Sequence, residues 1–146
     1  MKKLKLFLSL SPEMKWLFFE VYVYLAYARI LKSRSFSKVS SSLGEEMKET
    51  TKDITFTNKR KLAQVSQVIG IVSHYTFWKS DCFVKAVAAM RILKKQNIES
   101  TLYFGIAKDE TGQLMAHAWL RSGPFIVTGY EGKDQFTIVN TFAKTI

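Results

Sequence analysis

Two adjoining stretches, Asp81-Cys-Phe-Val-Lys-Ala-Val-Ala-Ala-Met-Arg-Ile-Leu-Lys-Lys95 and Thr101-Leu-Tyr-Phe-Gly-Ile-Ala107, decide the fold, because the apolar period changes between them. In the first, Val84, Val87, Ala88 and Ile92 recur at three and four residues, which predicts one buried helical face over residues 81–95. Ala86 and Ala89 beside them allow close packing, and Gln96-Asn97 ends the helix. The second stretch is rich in β-branched and aromatic residues and reads as a strand, followed by a turn at Asp109-Glu-Thr-Gly112. Residues 114–120 form the return strand. A third strand, 125–128, follows Ser122-Gly123-Pro124, and 136–139 make a fourth.

Upstream of residue 81 the pattern is helical. Ser11 reads as an N-cap, Pro12 as a first helical residue with φ already set, and Glu13 as a complement to the positive end of the helix. That helix runs to about Lys32. It is apolar nearly all round but interrupted by Glu20 and Arg29, short of the roughly 20 uninterrupted apolar residues of a membrane span. It is therefore expected to be buried or covered by a partner, with peripheral membrane contact as the minor alternative. A second helix is predicted over residues 58–73, capped by Thr57, with Leu62, Val65, Val68, Ile69 and Val72 on one face. Residues 33–57 are polar and serine-rich and read as a linker. Helices first and an antiparallel sheet afterwards predict an α+β fold, divided into a helical N-terminal region with its linker (1–57) and a core (58–146).

Composition narrows the function. The chain has 146 residues, 47% of them hydrophobic, which suits one buried core. A single cysteine excludes a disulfide scaffold and suits a reducing, cytoplasmic compartment. One Cys and two His do not supply a usual zinc site, so no metal or cofactor is expected. Met1-Lys-Lys-Leu-Lys precedes an apolar run too short for a signal peptide. All of the net charge of +10 lies in residues 1–100, where 18 Lys and Arg face 8 Asp and Glu. A basic surface draws acidic partners, but no nucleic-acid-binding motif accompanies it, so no nucleic-acid partner is expected.

Chemistry concentrates at two residues. Cys82 stands at the first turn of its helix, where unpaired N–H groups and the positive dipole end favour a thiolate. Asp81 opposes this, and Lys79 and Lys85 offset it. His117, in Ala116-His117-Ala118-Trp119, shares a strand face with Met115 and Trp119, opposite Leu114, Ala116, Ala118 and Leu120. A helix-borne Cys followed by a strand-borne His suits a thiol nucleophile with an imidazole base. A buried structural Cys and a structural His are the competing reading. Ser80 is expected to cap the Cys helix, and His74 to be a capping or surface residue. Gln67 and Thr76 are weak options for a second oxyanion donor.

The blocks Trp78-Lys-Ser-Asp-Cys82-Phe-Val-Lys-Ala86, Thr101-Leu-Tyr-Phe-Gly-Ile-Ala-Lys108, Ala116-His-Ala-Trp-Leu-Arg121, Phe125-Ile-Val-Thr-Gly129 and Phe136-Thr-Ile-Val139 are similar, in order, to the B-protein leader peptidases of lasso-peptide biosynthesis. The resemblance covers residues 60–146 collinearly and extends to the apolar helix and the basic stretch 29–36. It implies a transglutaminase-like, papain-related cysteine peptidase that removes the leader of a ribosomally made precursor peptide. Cys82 would be the nucleophile and His117 the base, then the acid for the leaving amine. The implied partners are the precursor, a separate leader-recognition protein (fused members carry that domain, for which this chain has no room), and a cyclase that closes the macrolactam. Phe77 and Phe83 depart from the Pro and Leu usual at those places.

Many members carry an Asp twelve residues after the His, where this chain has Gly129. The expected replacement is Glu131, with Asp134, the Thr128 hydroxyl or a backbone carbonyl as alternatives and a plain Cys82–His117 dyad as the limit. Two rival functions remain: acyl transfer to an amine in place of water, and a non-catalytic basic scaffold.

Overall fold

In the computed structural model, which describes residues 2–34, 36–52 and 56–145, the long helix starts where its cap residues place it. Ser11 is extended (φ −62°, ψ 156°), and its Oγ accepts the Met14 N–H at 3.3 Å. A short helix α1 (Lys2–Ser9) precedes α2 (Pro12–Lys32), which buries Leu17, Val21, Leu25 and Ala28 along one side. Its other side leaves Trp16, Phe19, Val23 and Ile30 exposed. No helix among the described residues is long and apolar enough to cross a membrane.

The polar stretch after α2 contains α3 (Phe36–Val39), a 3₁₀ turn (Ser40–Ser42) and a two-residue strand β1 (Glu45–Glu46). Val39 and Leu43 reach the same buried cluster as α2, so this segment contributes to the core. Helix α4 (Phe56–Val72) buries the face anticipated from spacing. It begins at Phe56, which puts Thr57 inside its first turn; the side chain of Thr57 lies outside the described residues.

Helix α5 (Cys82–Lys95) is the centre of the molecule. Val84, Val87, Met90, Ile92 and Leu93 are fully buried, and Ala86, Ala88 and Ala89 let neighbours approach closely. Its N-cap is Asp81, not Ser80: the carboxylate accepts the Val84 N–H at 3.1 Å, whereas Ser80 Oγ pairs with Thr76 Oγ1 at 2.9 Å. A carboxylate next to the first helical residue satisfies an orphan amide and also complements the dipole, which a serine one residue earlier does not. Lys32 at the end of α2 pairs with Asp81, and Glu20 near its middle pairs with Lys95 at 2.8 Å, so α2 and α5 run antiparallel.

The strands are β2 (Ser100–Lys108), β3 (Leu114–Ser122), β4 (Phe125–Thr128) and β5 (Thr137–Lys144). With β1 they form a five-stranded antiparallel sheet in the order β1-β5-β2-β3-β4, which makes the fold α+β as expected. The last strand starts one residue later than anticipated and continues to Lys144, because Phe142 and Ala143 are buried in the pairing with β2. In the β2–β3 register Leu102 faces Leu120 and Phe104 faces Ala118, all on the core side. Tyr103, Trp119 and Arg121 occupy the opposite side with His117. Arg121 is buried there and donates to Tyr103 Oη and to the carbonyls of Thr50, Thr51 and Gly123, which ties the segment before α4 across the sheet.

Candidate active site

The turn before α5 positions the only cysteine. Thr76 Oγ1 donates to the Trp78 carbonyl at 2.9 Å and meets Ser80 Oγ, fixing the chain ahead of the Asp81 cap. Cys82 is then the first helical residue, half-buried and unpaired as a thiol. The first N–H groups of a helix have no partner within it, which leaves the amide of Cys82 without a helical acceptor. Burial disfavours charge on the Asp81 carboxyl, but the Lys32 ammonium, the Val84 amide and nearby Lys79 outweigh it and hold the group below the ordinary aspartate value. The negative charge beside Cys82 is thus already engaged by two lysines.

His117 is held by the sheet. Its ring stacks on Trp119 with centroids 5.6 Å apart and lies 5.0 Å from Phe136. Its cross-strand neighbour is Gly105, where a Cβ would sit 2.8 Å from Phe136 Cβ and 3.0 Å from the Trp119 ring. Only glycine leaves room for both aromatics around the imidazole.

Gly129 completes the arrangement. The ring Nε2 lies 2.8 Å from the Gly129 carbonyl oxygen. A carbonyl only accepts, so Nε2 carries the hydrogen and Nδ1 of the neutral ring is left as the proton acceptor. Gly129 has φ +76°, and a Cβ on it would come within 2.6 Å of the Ala118 carbonyl oxygen and 2.7 Å of Trp119 Cβ. The glycine that lacks a side chain to orient the histidine does so with its backbone.

A cleft of about 590 Å³ between α4, the start of α5 and β4 brings these groups together. Cys82, His117, Glu131, Lys85 and His74 all line it. No hydrogen bond joins the thiol to the imidazole among the described residues; such contacts are commonly long in unliganded sites and tighten on substrate binding. The expected bond from Glu131 to the ring is not made: Glu131 is exposed, and the ring nitrogen it would hold belongs to Gly129. Asp134 is turned to solvent with Lys133 at 3.0 Å and lines no part of the cleft. Thr128 lines the cleft, but its Oγ1 is buried without a hydrogen-bond partner among the described residues, so it does not orient the ring either.

Gln67 and Thr76 are absent from the lining, and the Thr76 hydroxyl is already engaged. His74, anticipated as a surface residue, is exposed at the rim of the cleft. Lys85 follows Cys82 by three residues and shares its helical face, a spacing that the sequence already carries. Ser66 and Tyr130 enter the cleft from α4 and from the turn after β4, and no local sequence signal marks them. Among the described residues no group of three His, Cys, Asp or Glu is placed to hold a metal ion.

Residues 21–141 match the family described as the transglutaminase-like superfamily, a span that includes α5, β3 and most of α2. No curated protein and no solved structure matches the chain.

Proposed function

This chain belongs to the transglutaminase-like superfamily, which includes cysteine peptidases and acyltransferases, and on that footing we propose that it is a cytoplasmic cysteine peptidase removing the leader of a ribosomally made precursor during lasso-peptide maturation. The observation that carries the reading is one cleft holding the sole cysteine, at a helix start, and an imidazole whose Nε2 is fixed by a carbonyl. The ordered likeness of the Cys82 and His117 blocks to the lasso leader peptidases supports the choice of substrate.

In this mechanism the Cys82 sulfur attacks the scissile carbonyl and its proton passes to Nδ1 of His117. The tetrahedral oxyanion takes the Cys82 amide as one donor. The C–N bond then breaks, and Nδ1 returns the proton to the leaving amine. Water, deprotonated by the same nitrogen, hydrolyses the thioester and restores the thiol. The Gly129 carbonyl stabilises the Nε2–H throughout without itself exchanging a proton. A separate recognition protein presents the leader, and a cyclase acts on the freed N-terminus.

The test is mass spectrometry of precursor incubated with the chain and the recognition protein. Cys82→Ala and His117→Ala are each expected to lower cleavage by orders of magnitude, with stability changed by about 1 kcal/mol or less for the cysteine variant. Cleavage by Cys82→Ala at the normal rate rejects the mechanism. A product joined to an amine in place of a free acid identifies acyl transfer, and undiminished pathway output from Cys82→Ala identifies a scaffold.

A further inference from the structure

The cleft at Cys82 does not end at the catalytic pair. Beyond it, between α4 and β4, lies a second cavity of about 210 Å³. Ser66, Ile126 and Val127 line both cavities, so the two adjoin along one wall of a groove. The second is walled by Lys59, Leu62, Ala63 and Phe125; the Lys59 ammonium lies 5.7 Å from the centroid of the Phe125 ring, and the lining is otherwise mostly apolar. Its volume is several times the roughly 30 Å³ share of a water molecule and below the roughly 300 Å³ at which small-molecule pockets begin. It suits one aliphatic or aromatic side chain.

Strand β4 runs along this groove and is the last strand of the sheet, so among the described residues one row of its backbone amides and carbonyls has no strand beside it. An extended peptide on such an edge gains main-chain hydrogen bonds and projects alternate side chains into pockets. From Gly129, which holds His117, to Phe125 at the far cavity is a run of roughly 13 Å at about 3.3 Å per residue.

We propose that this cavity is a specificity subsite that takes a single apolar side chain of the peptide substrate, two to four residues from the scissile bond. The proposal rests on the peptidase reading above and names the substrate feature which that reading leaves open. The peptide lies extended beside β4, its reacting carbonyl at Cys82 and its apolar side chain between Leu62 and Phe125. Ala63, the smallest side chain of the wall on α4, leaves the cavity open on that side. No covalent step is added to the mechanism.

The experiment uses the full chain together with the recognition protein and synthetic precursors that carry the whole leader, in which each position up to five residues from the cut is replaced in turn by Leu or Asp. At one position two to four residues away, Asp is expected to lower kcat/KM by ten-fold or more relative to Leu. Ala63→Trp, which fills the cavity from an exposed helical position, is expected to raise KM for the Leu peptide with kcat little changed, as loss of uniform binding requires. Ala63→Leu should show a smaller effect of the same sign and keeps the test open if the Trp variant folds poorly.

Equal kcat/KM for Leu and Asp at every such position overturns the subsite while leaving the peptidase reading intact. If no peptide is cleaved, the peptidase reading fails, and fluorescence anisotropy of the same peptides on Cys82→Ala then decides the subsite alone. Leu-dependent binding lost in Cys82→Ala/Ala63→Trp supports it, and binding indifferent to both changes rejects it.

Discussion

Gly129 and His117 show how much of a site rests on a backbone atom. A carboxylate twelve residues after a histidine is legible in a sequence, but a carbonyl at the same place belongs to every residue type and leaves no mark. What marks it here is the glycine, which alone fits φ +76° against Ala118 and Trp119. Gly129→Ala is expected to cost about 1–3 kcal/mol of stability through backbone strain and to slow cleavage at least ten-fold by displacing the carbonyl from Nε2. Glu131→Gln and Asp134→Asn should keep the rate of the unmodified chain, because neither carboxylate touches the ring. Urea melts and single-turnover cleavage of the three variants check this. A crippled Glu131→Gln enzyme with normal stability would mean that the ring changes partner when substrate binds.

At the scale of elements, the start of α5 combines a cap, an ion pair and the proposed nucleophile in two residues. Asp81 accepts from Val84 and pairs with Lys32 across the helix interface, and its carboxyl is held below its ordinary value. A carboxyl whose folded value is lowered contributes stability that is fully present above its unfolded value and is lost as pH falls through the folded one. Asp81→Ala is expected to cost about 1 kcal/mol at neutral pH through the lost cap. Asp81→Asn keeps the cap and removes the charge, so its stability should fall less than that of the unmodified chain as pH drops below about 4. Urea midpoints at neutral pH and near pH 3 distinguish these outcomes. Parallel acid curves for Asp81→Asn and the unmodified chain would show that the ion pair contributes nothing. The choice between Ser80 and Asp81 as cap was open to spacing alone, since both residue types cap helices and helix ends shift by a residue or two.

For the whole molecule, the decisive fact is that α2 is part of the core that carries the site. Leu25 is fully buried, and α2 lies antiparallel to α5, with an ion pair at each end of α5. Leu25→Ala is expected to cost about 2–5 kcal/mol and to lower the unfolding temperature of the sheet and the helices together. Thermal unfolding followed by hydrogen exchange of the α2 amides and of the β2 and β3 amides checks it. One shared transition is expected. Sheet amides that stay protected while α2 melts would instead divide the chain at residues 57–58.

Local composition determined a good deal by itself. The change of apolar period near residue 97, the Ser11-Pro12 helix start and the turn at residues 109–112 are set by side chains within a few positions of one another, so the α+β order and most element bounds were readable. Cys82 at a helix start and His117 on a strand were readable for the same reason. Only the tertiary structure decided that the two share a cleft, because that depends on how α5 packs against the β3–β4 edge. It also decided that Gly129 supplies the acceptor and that the polar residues 38–50 carry Val39 and Leu43 into the core. Each of these is a contact between groups far apart in the chain, made by backbone atoms or by lone apolar residues, and neither kind has a periodicity for a sequence to display.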